Sequence, residues 1–411
     1  MQDLILKKND QKLEGSAQVT GSKSESNRLL ILQALYPKQI RIENLSQSAD
    51  TEVLQKALSS AKNPIDIQHA GTAMRFLTAY FAARADTEVI LTGSDRMKQR
   101  PLAILVDALS TLGAEIDYSE NEGFPPLKIR GRKLRGGSIE MNAKVSSQYI
   151  SALMLVGSAF EEGLEIFLSR RITSSPYIQM TFDLLRKAGL TLSWQDRHIH
   201  IYPGCPKGEQ IFSVESDWSS ASYYYALAAL SEDCSLDLAV YRENSLQGDR
   251  AVSDIYQEHF GVDTIFKKGL IRLRKNIHHA LPDHIALDLN ATPDIAQTIA
   301  VTCSGLGIKC LLTGLETLKI KETDRLQALQ NELIKIGAEA HVTSDSLELI
   351  GFGPRRSDFS IETYQDHRMA MSFASLALLF PIRIRQPEVV EKSYPNFWED
   401  LKALRFSIDR T

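Results

Sequence analysis

The sequence predicts an α/β fold built from a repeated helix–strand unit, and three observations carry that prediction. Segments of helical periodicity alternate with short runs of alternating apolar residues along the whole chain, the pattern of layered α/β structure. Four amphipathic stretches each end at a glycine followed by a strand-like run: LSTLGAEI at Gly113, LLRKAGLTL at Gly189, IYQEHFGVDTI at Gly261 and LIKIGAEAHV at Gly337. These glycines recur at intervals of 76, 72 and 76 residues. Glycine suits the position just past a helix, where the chain turns through a left-handed conformation that a Cβ disfavours. The period is too long for a solenoid, so each copy is expected to be a small folded module. LQKALSSAKNPIDI near the start and DLKALRFSI near the end read as worn copies, which makes six.

The chain has 411 residues, 43% hydrophobic and 24% charged, enough for two or three globular domains. A net charge of −4 argues against nucleic acid or an anionic membrane as partner. Any polyanion must therefore be held by a local cationic site. Cys205, Cys234, Cys303 and Cys310 form no CxxC and have no histidine cluster nearby, so neither a metal nor a disulfide is expected. Free thiols fit a reducing, cytoplasmic setting. MQDLILKKND lacks the apolar core of a signal peptide. The longest uncharged apolar run, Met369–Ile382, is too short to span a bilayer and reads as a buried helix.

Taken in chain order, the helix starts share an oddity. GSKSESNR (21–28) opens the run LLILQAL, with Ser22 or Ser24 as cap and Lys23 and Arg28 in the first turns. GTAMR (71–75) opens the next, with Thr72 as expected cap and Arg75 close behind. RMKQRP (96–101) places Arg96, Lys98 and Arg100 before LAILVDAL, with Pro101 at the favoured first position. SSQY (146–149) and SSPY (174–177) open two more, the second again with proline first. TPD (292–294), KETDR (321–325) and DHR (366–368) follow. Serine, threonine and proline are ordinary there. Cations are not, because the helix dipole favours negative charge at that end. A bound anion removes the misfit: backbone N–H groups, hydroxyls and cations then converge on phosphate or carboxylate. Asp294 and Glu322, lying among the cations, suit proton transfer. No GxxxxGK[ST] and no strand-borne GxGxxG is present, so neither a P-loop nor a dinucleotide site is indicated.

GSKSESNR, AGTAMR, RMKQRP, SSQY, SSPY, TPDIAQT, KETDRL, YQDHRMAM and EKSYP, in that order from about residue 15 to residue 400, closely resemble the EPSP synthases. These are the 3-phosphoshikimate 1-carboxyvinyltransferases of the shikimate pathway to chorismate and the aromatic amino acids. The resemblance implies a two-domain enolpyruvyl-transferase-like fold of six βαββαβ-type repeats, three per domain, with the active site in the interdomain cleft. One domain would comprise residues 1–20 and 216–411, the other 21–215 with a shortened first repeat. It implies transfer of the enolpyruvyl group of phosphoenolpyruvate to the 5-hydroxyl of 3-phosphoshikimate by a monomer that needs no metal or organic cofactor. Carried over residue by residue, the phosphoshikimate contacts are Lys23, Ser24, Arg28, Ser146, Ser147, Gln148, Ser174, Tyr177, Asp294 and Lys321. The phosphoenolpyruvate contacts are Lys23, Gly71, Arg100, Gln148, Arg325, Arg368 and Lys392. Asp294 handles the hydroxyl proton, Glu322 protonates the methylene with Lys23 assisting, and Asp366 and His367 orient the site. Gly71 leaves room for glyphosate, which in this family occupies the phosphoenolpyruvate position.

The sequence departs from the family pattern at His69 and Thr317, where asparagine is usual, and at Phe76, where proline is usual. Two rivals stand against this reading. The sister transferase acting on UDP-N-acetylglucosamine carries a cysteine in the loop matching RMKQRP, and no cysteine precedes Cys205 here. A non-catalytic phospho-metabolite binder is opposed by the intact Lys23, Arg100, Asp294 and Glu322.

Overall fold

The computed structural model describes residues 3–60, 62–142, 146–169, 175–354 and 359–411. The chain forms two compact units, residues 1–20 with 215–411 and residues 21–214.

Five sheets share one plan of four strands and two helices. In the unit of residues 21–214, strand Ile65–Asp66 lies parallel to Thr87–Thr92, the two joined by helix Gly71–Ala82. Helix Ala103–Thr111 then leads to strand Glu115–Tyr118. The fourth strand, Leu127–Gly131, inserts antiparallel between the second and third. The same order recurs in the sheets containing Gly137–Asn142, Lys12–Ala17 and His284–Asp288. In the fifth sheet, Leu4–Lys7 and Ser407–Arg410 pair with each other, so both ends of the chain meet in one repeat.

The sixth repeat is reduced to two parallel strands, Gln210–Ser213 and Ile40–Glu43. Its second helix, Ala49–Ser59, runs directly to Ile65–Asp66. That strand pairs in the next sheet, so LQKALSSAKNPIDI spans two repeats rather than forming one worn copy.

Local chemistry accounts for the elements. Cys234, Leu236 and Leu238 alternate inward along strand Asp233–Ala239. Gly113, Gly189, Gly261 and Gly337 take φ of +97°, +85°, +65° and +98° where their helices stop. After helix Phe397–Ala403 the corresponding bend falls to Arg405, at φ +67°.

Within each unit the helices that lead into the second strand of each repeat pack on one another and are buried nearly all round. They are Lys23–Leu35, Gly71–Ala82 and Ser147–Gly157 in one unit, and Trp218–Leu230, Ala296–Leu306 and His367–Ala374 in the other. Each starts at the same end of its repeat, which is why the motifs read from the sequence cluster at helix N-termini.

Several helix starts differ from the expectation. Helix Gly71–Ala82 begins before Thr72, whose hydroxyl instead accepts from Gln148. Pro101 precedes its helix, which starts at Ala103; its carbonyl accepts from Arg75 and Tyr149. Pro176 is the second residue of helix Ser175–Lys187. Met369–Ile382 is not one helix: His367–Ala374 tightens to a 3₁₀ turn, Ser375–Leu378, and Ile382 starts a strand.

Candidate active site

In the unit of residues 1–20 and 215–411, seven of the expected residues form one connected ionic lattice. Arg325, the first residue of helix Arg325–Lys335, is 2% exposed and meets three carboxylates: Asp366 at 2.5 Å, Glu322 at 2.8 Å and Asp294 at 3.0 Å. Asp294 also faces Arg368 at 3.2 Å and Lys321 at 3.6 Å, and Glu322 faces Lys392 at 2.9 Å. Asp366 caps its helix by accepting the Arg368 N–H at 2.8 Å. Burial works against the Arg325 charge, but Asp366, Glu322 and Asp294 more than reverse this and raise its pKa. Burial lowers the pKa of Lys321.

One member of this neighbourhood escaped the sequence reading. Asp249 is buried and accepts the hydroxyls of Ser219 and Thr292, the latter at 2.5 Å. Burial first, and then the charge of Asp294, push it up to about 6. Its only local signal is GDR before an amphipathic stretch, which reads as an ordinary helix cap. Thr317 places its hydroxyl in a buried position with no hydrogen-bond partner among the described residues.

The unit of residues 21–214 carries the rest. Ser22 caps helix Lys23–Leu35, accepting from the Glu25 N–H, and Lys23 pairs with Asp50 at 3.3 Å. Arg28 is buried and donates to neutral oxygens: the Thr181 hydroxyl at 2.7 Å, the Ser24 carbonyl at 2.9 Å, and the Ser151 hydroxyl and Tyr177 carbonyl at 3.1 Å. The Phe76 ring lies 5.4 Å from its guanidinium carbon. Burial lowers Arg28 to about 10.

Ser146 caps helix Ser147–Gly157, bringing Ser146, Ser147 and Gln148 together. Arg100 lies against Gly71, so close that a Cβ there would fall 2.4 Å from its Nη1. Arg75 acts between them: it donates to the Gly71 carbonyl at 3.1 Å and to the Pro101 carbonyl at 3.3 Å. His69, at one of the sequence departures, meets the Ser94 hydroxyl at 2.8 Å. Ser174 lies outside the described residues.

The four cysteines are free. Among the described residues no histidine, cysteine or carboxylate group clusters at metal-ligand geometry, and no helix is long and apolar enough to cross a membrane.

Two sets of cations and hydroxyls, each gathered at the starts of packed helices in a repeat fold, define a class. The fold is that of the enolpyruvyl transferases: it matches the EPSP synthase of Acinetobacter baumannii (TM-score 0.79, 21% identity, all of both chains). It also matches the enolpyruvyl transferase NikO of Streptomyces tendae (TM-score 0.78, 15% identity, 100% and 99% of the chains). The family model described as EPSP synthase (3-phosphoshikimate 1-carboxyvinyltransferase) matches residues 7–62 and 53–401. A 3-phosphoshikimate 1-carboxyvinyltransferase of Bacteroides fragilis is 45% identical over 401 residues, 96% of each chain. One of Haemophilus influenzae is 34% identical over 428 residues, covering 95% of this chain and 96% of its own. The chain belongs to the EPSP synthase family.

Proposed function

We propose that the protein transfers the carboxyvinyl group of phosphoenolpyruvate to the 5-hydroxyl of 3-phosphoshikimate and releases phosphate. The observation that carries this reading is the ionic lattice around Arg325. It holds four cations and three carboxylates at helix starts, and anionic substrates can take over the cations. In this reading Gly71, Arg100, Arg325, Arg368 and Lys392 are the phosphoenolpyruvate contacts. Ser24, Arg28, the 146–148 turn, Tyr177 and Lys321 bind phosphoshikimate. Lys23 and Gln148 serve both.

The first step forms a bond from the 5-oxygen to C2 of phosphoenolpyruvate. The hydroxyl proton passes to the Asp294 carboxylate, and the C3 methylene gains a proton from Glu322, with Lys23 assisting. Glu322 meets Arg325 and Lys392, and anions that claim those cations leave it able to carry that proton. In the second step C3 returns a proton to Glu322, the double bond re-forms, the C2–O bond to phosphate breaks, and the hydroxyl proton held by Asp294 leaves with the phosphate. The reaction as written calls on no metal or organic cofactor, and the reading takes the chain as a cytoplasmic monomer. The UDP-N-acetylglucosamine alternative is disfavoured by the relatives' identity.

The test is release of inorganic phosphate from phosphoenolpyruvate with each acceptor. Release with 3-phosphoshikimate alone is expected. Release with UDP-N-acetylglucosamine, or with neither, overturns the reading.

A further inference from the structure

The segment that carries Asp366 and Arg368 is reached through a turn its residues do not favour. The Asp366 N–H donates to the Thr363 carbonyl at 2.8 Å, and both central residues, Tyr364 and Gln365, have positive φ, +53° and +57°. That is the mirror-image turn class, dominated by Gly, Asn and Asp because a bulky side chain is strained in the left-handed region. Such a turn persists only where its surroundings over-determine it. Gln365 is exposed and supplies no packing, whereas Thr363 and Asp366 on either side are buried.

Tyr364 packs against the core with Asn331 in hydrogen-bond reach of its hydroxyl, and a buried carboxylate is placed to hold the turn. Glu332, on helix Arg325–Lys335, is fully buried. It accepts the Tyr364 hydroxyl at 2.7 Å and the Glu362 N–H at 3.2 Å, and Lys335 balances its charge at 2.8 Å. The same helix grips the exit of the turn, because Arg325 holds Asp366. One helix thus clamps both sides of four residues.

We propose that Glu332 is a positioning residue for the anion grip. Through Tyr364 it maintains the turn that aims Asp366. Asp366 in turn fixes the Arg325 guanidinium with one oxygen and caps the Arg368 N–H with the other. The proposal rests on the assignment of Arg325 and Arg368 to phosphoenolpyruvate and deepens it.

Glu332→Gln keeps the volume and removes the charge. Its KM for phosphoenolpyruvate should rise about 10-fold, since small displacements of a charged grip are costly. The Kd for 3-phosphoshikimate, measured without phosphoenolpyruvate, should stay within about 2-fold. Adding Gln365→Gly supplies a residue that adopts the left-handed conformation freely, so the double variant should recover most of the lost KM. A carboxylate with a merely structural role would not be rescued by a glycine in a neighbouring turn. If Glu332→Gln does not fold, Tyr364→Phe removes only the gripped hydroxyl and should raise the same KM in the same direction. An unchanged KM, equal weakening of both substrates, or no recovery with Gln365→Gly overturns the proposal. Wild-type turnover run in parallel separates the cases: an inactive wild type overturns the functional reading, and an active wild type with unmoved variants overturns only this inference.

Discussion

Gly71 and Arg100 show how a single atom sets the position of a guanidinium. A Cβ at Gly71 would press on the Arg100 guanidinium, the movable end of a flexible side chain, so the protein should fold with that fork displaced. Gly71→Ala is expected to raise the KM for phosphoenolpyruvate by about 10-fold, leaving the Kd of phosphoshikimate unchanged. Glyphosate should inhibit the wild type competitively with phosphoenolpyruvate and should inhibit Gly71→Ala less. Arg100→Lys should also weaken phosphoenolpyruvate selectively, because lysine lacks the planar two-pronged donor. Equal weakening of both substrates would move Arg100 out of that contact. Glu322→Gln and Asp294→Asn should each lower kcat by about 10²-fold, a usual general acid–base contribution, with phosphoshikimate binding largely retained. A near-normal kcat in either variant would leave that residue as an ion-pair partner of the neighbouring cations.

At the scale of the element, the helix–glycine–strand unit makes a graded prediction. Gly113 sits at φ +97° with open space where a Cβ would go, whereas at Gly261, φ +65°, a Cβ would meet His279 at 2.6 Å. Gly113→Ala should cost about 1 kcal/mol from the left-handed backbone alone. Gly261→Ala should cost more, because a side-chain clash is added. Arg405 occupies the same bend without being glycine, so Arg405→Gly should raise stability, by up to about 1 kcal/mol. Urea unfolding of the three variants tests the order, and a destabilised Arg405→Gly would show that the Arg405 side chain outweighs its backbone strain. These bends were legible in the sequence because a glycine after an amphipathic run is a local signal. The helix starts at Thr72 and Pro101 were misjudged because Gln148, Arg75 and Tyr149, distant in sequence, claim the groups that would otherwise cap or begin a helix.

Across the whole molecule, buried charge ties stability to pH. Asp249 is raised from 3.8 to about 6, so the folded protein holds a proton there that the unfolded chain releases. The group's contribution is therefore most favourable at low pH and declines as pH climbs from about 4 through about 6. Asp249→Asn cannot ionise and escapes that loss. Its melting temperature relative to wild type should be higher at pH 8 than at pH 5. An equal difference at both pH values would show that the Asp249 charge is fully compensated in the fold. The reduced sixth repeat belongs to this scale too. The short run between helix Ala49–Ser59 and Ile65 leaves no room for a third and fourth strand.

Read alone, the sequence determined the α/β repeat, the glycine bends and the gathering of cations and hydroxyls at helix starts. Each of these is legible through dihedral preference, periodicity or a departure from what the helix dipole favours, and all three act over a few residues. The tertiary structure alone decided the partners. Arg325 meets Asp366 across 41 residues of chain and Asp294 across 31, and Arg28 reaches Thr181 across 153. It also revealed Asp249 and Glu332, carboxylates with no distinguishing local pattern. Which charge neutralises which depends on how whole repeats pack, and a buried ion pair forms only where that packing brings both groups out of water together.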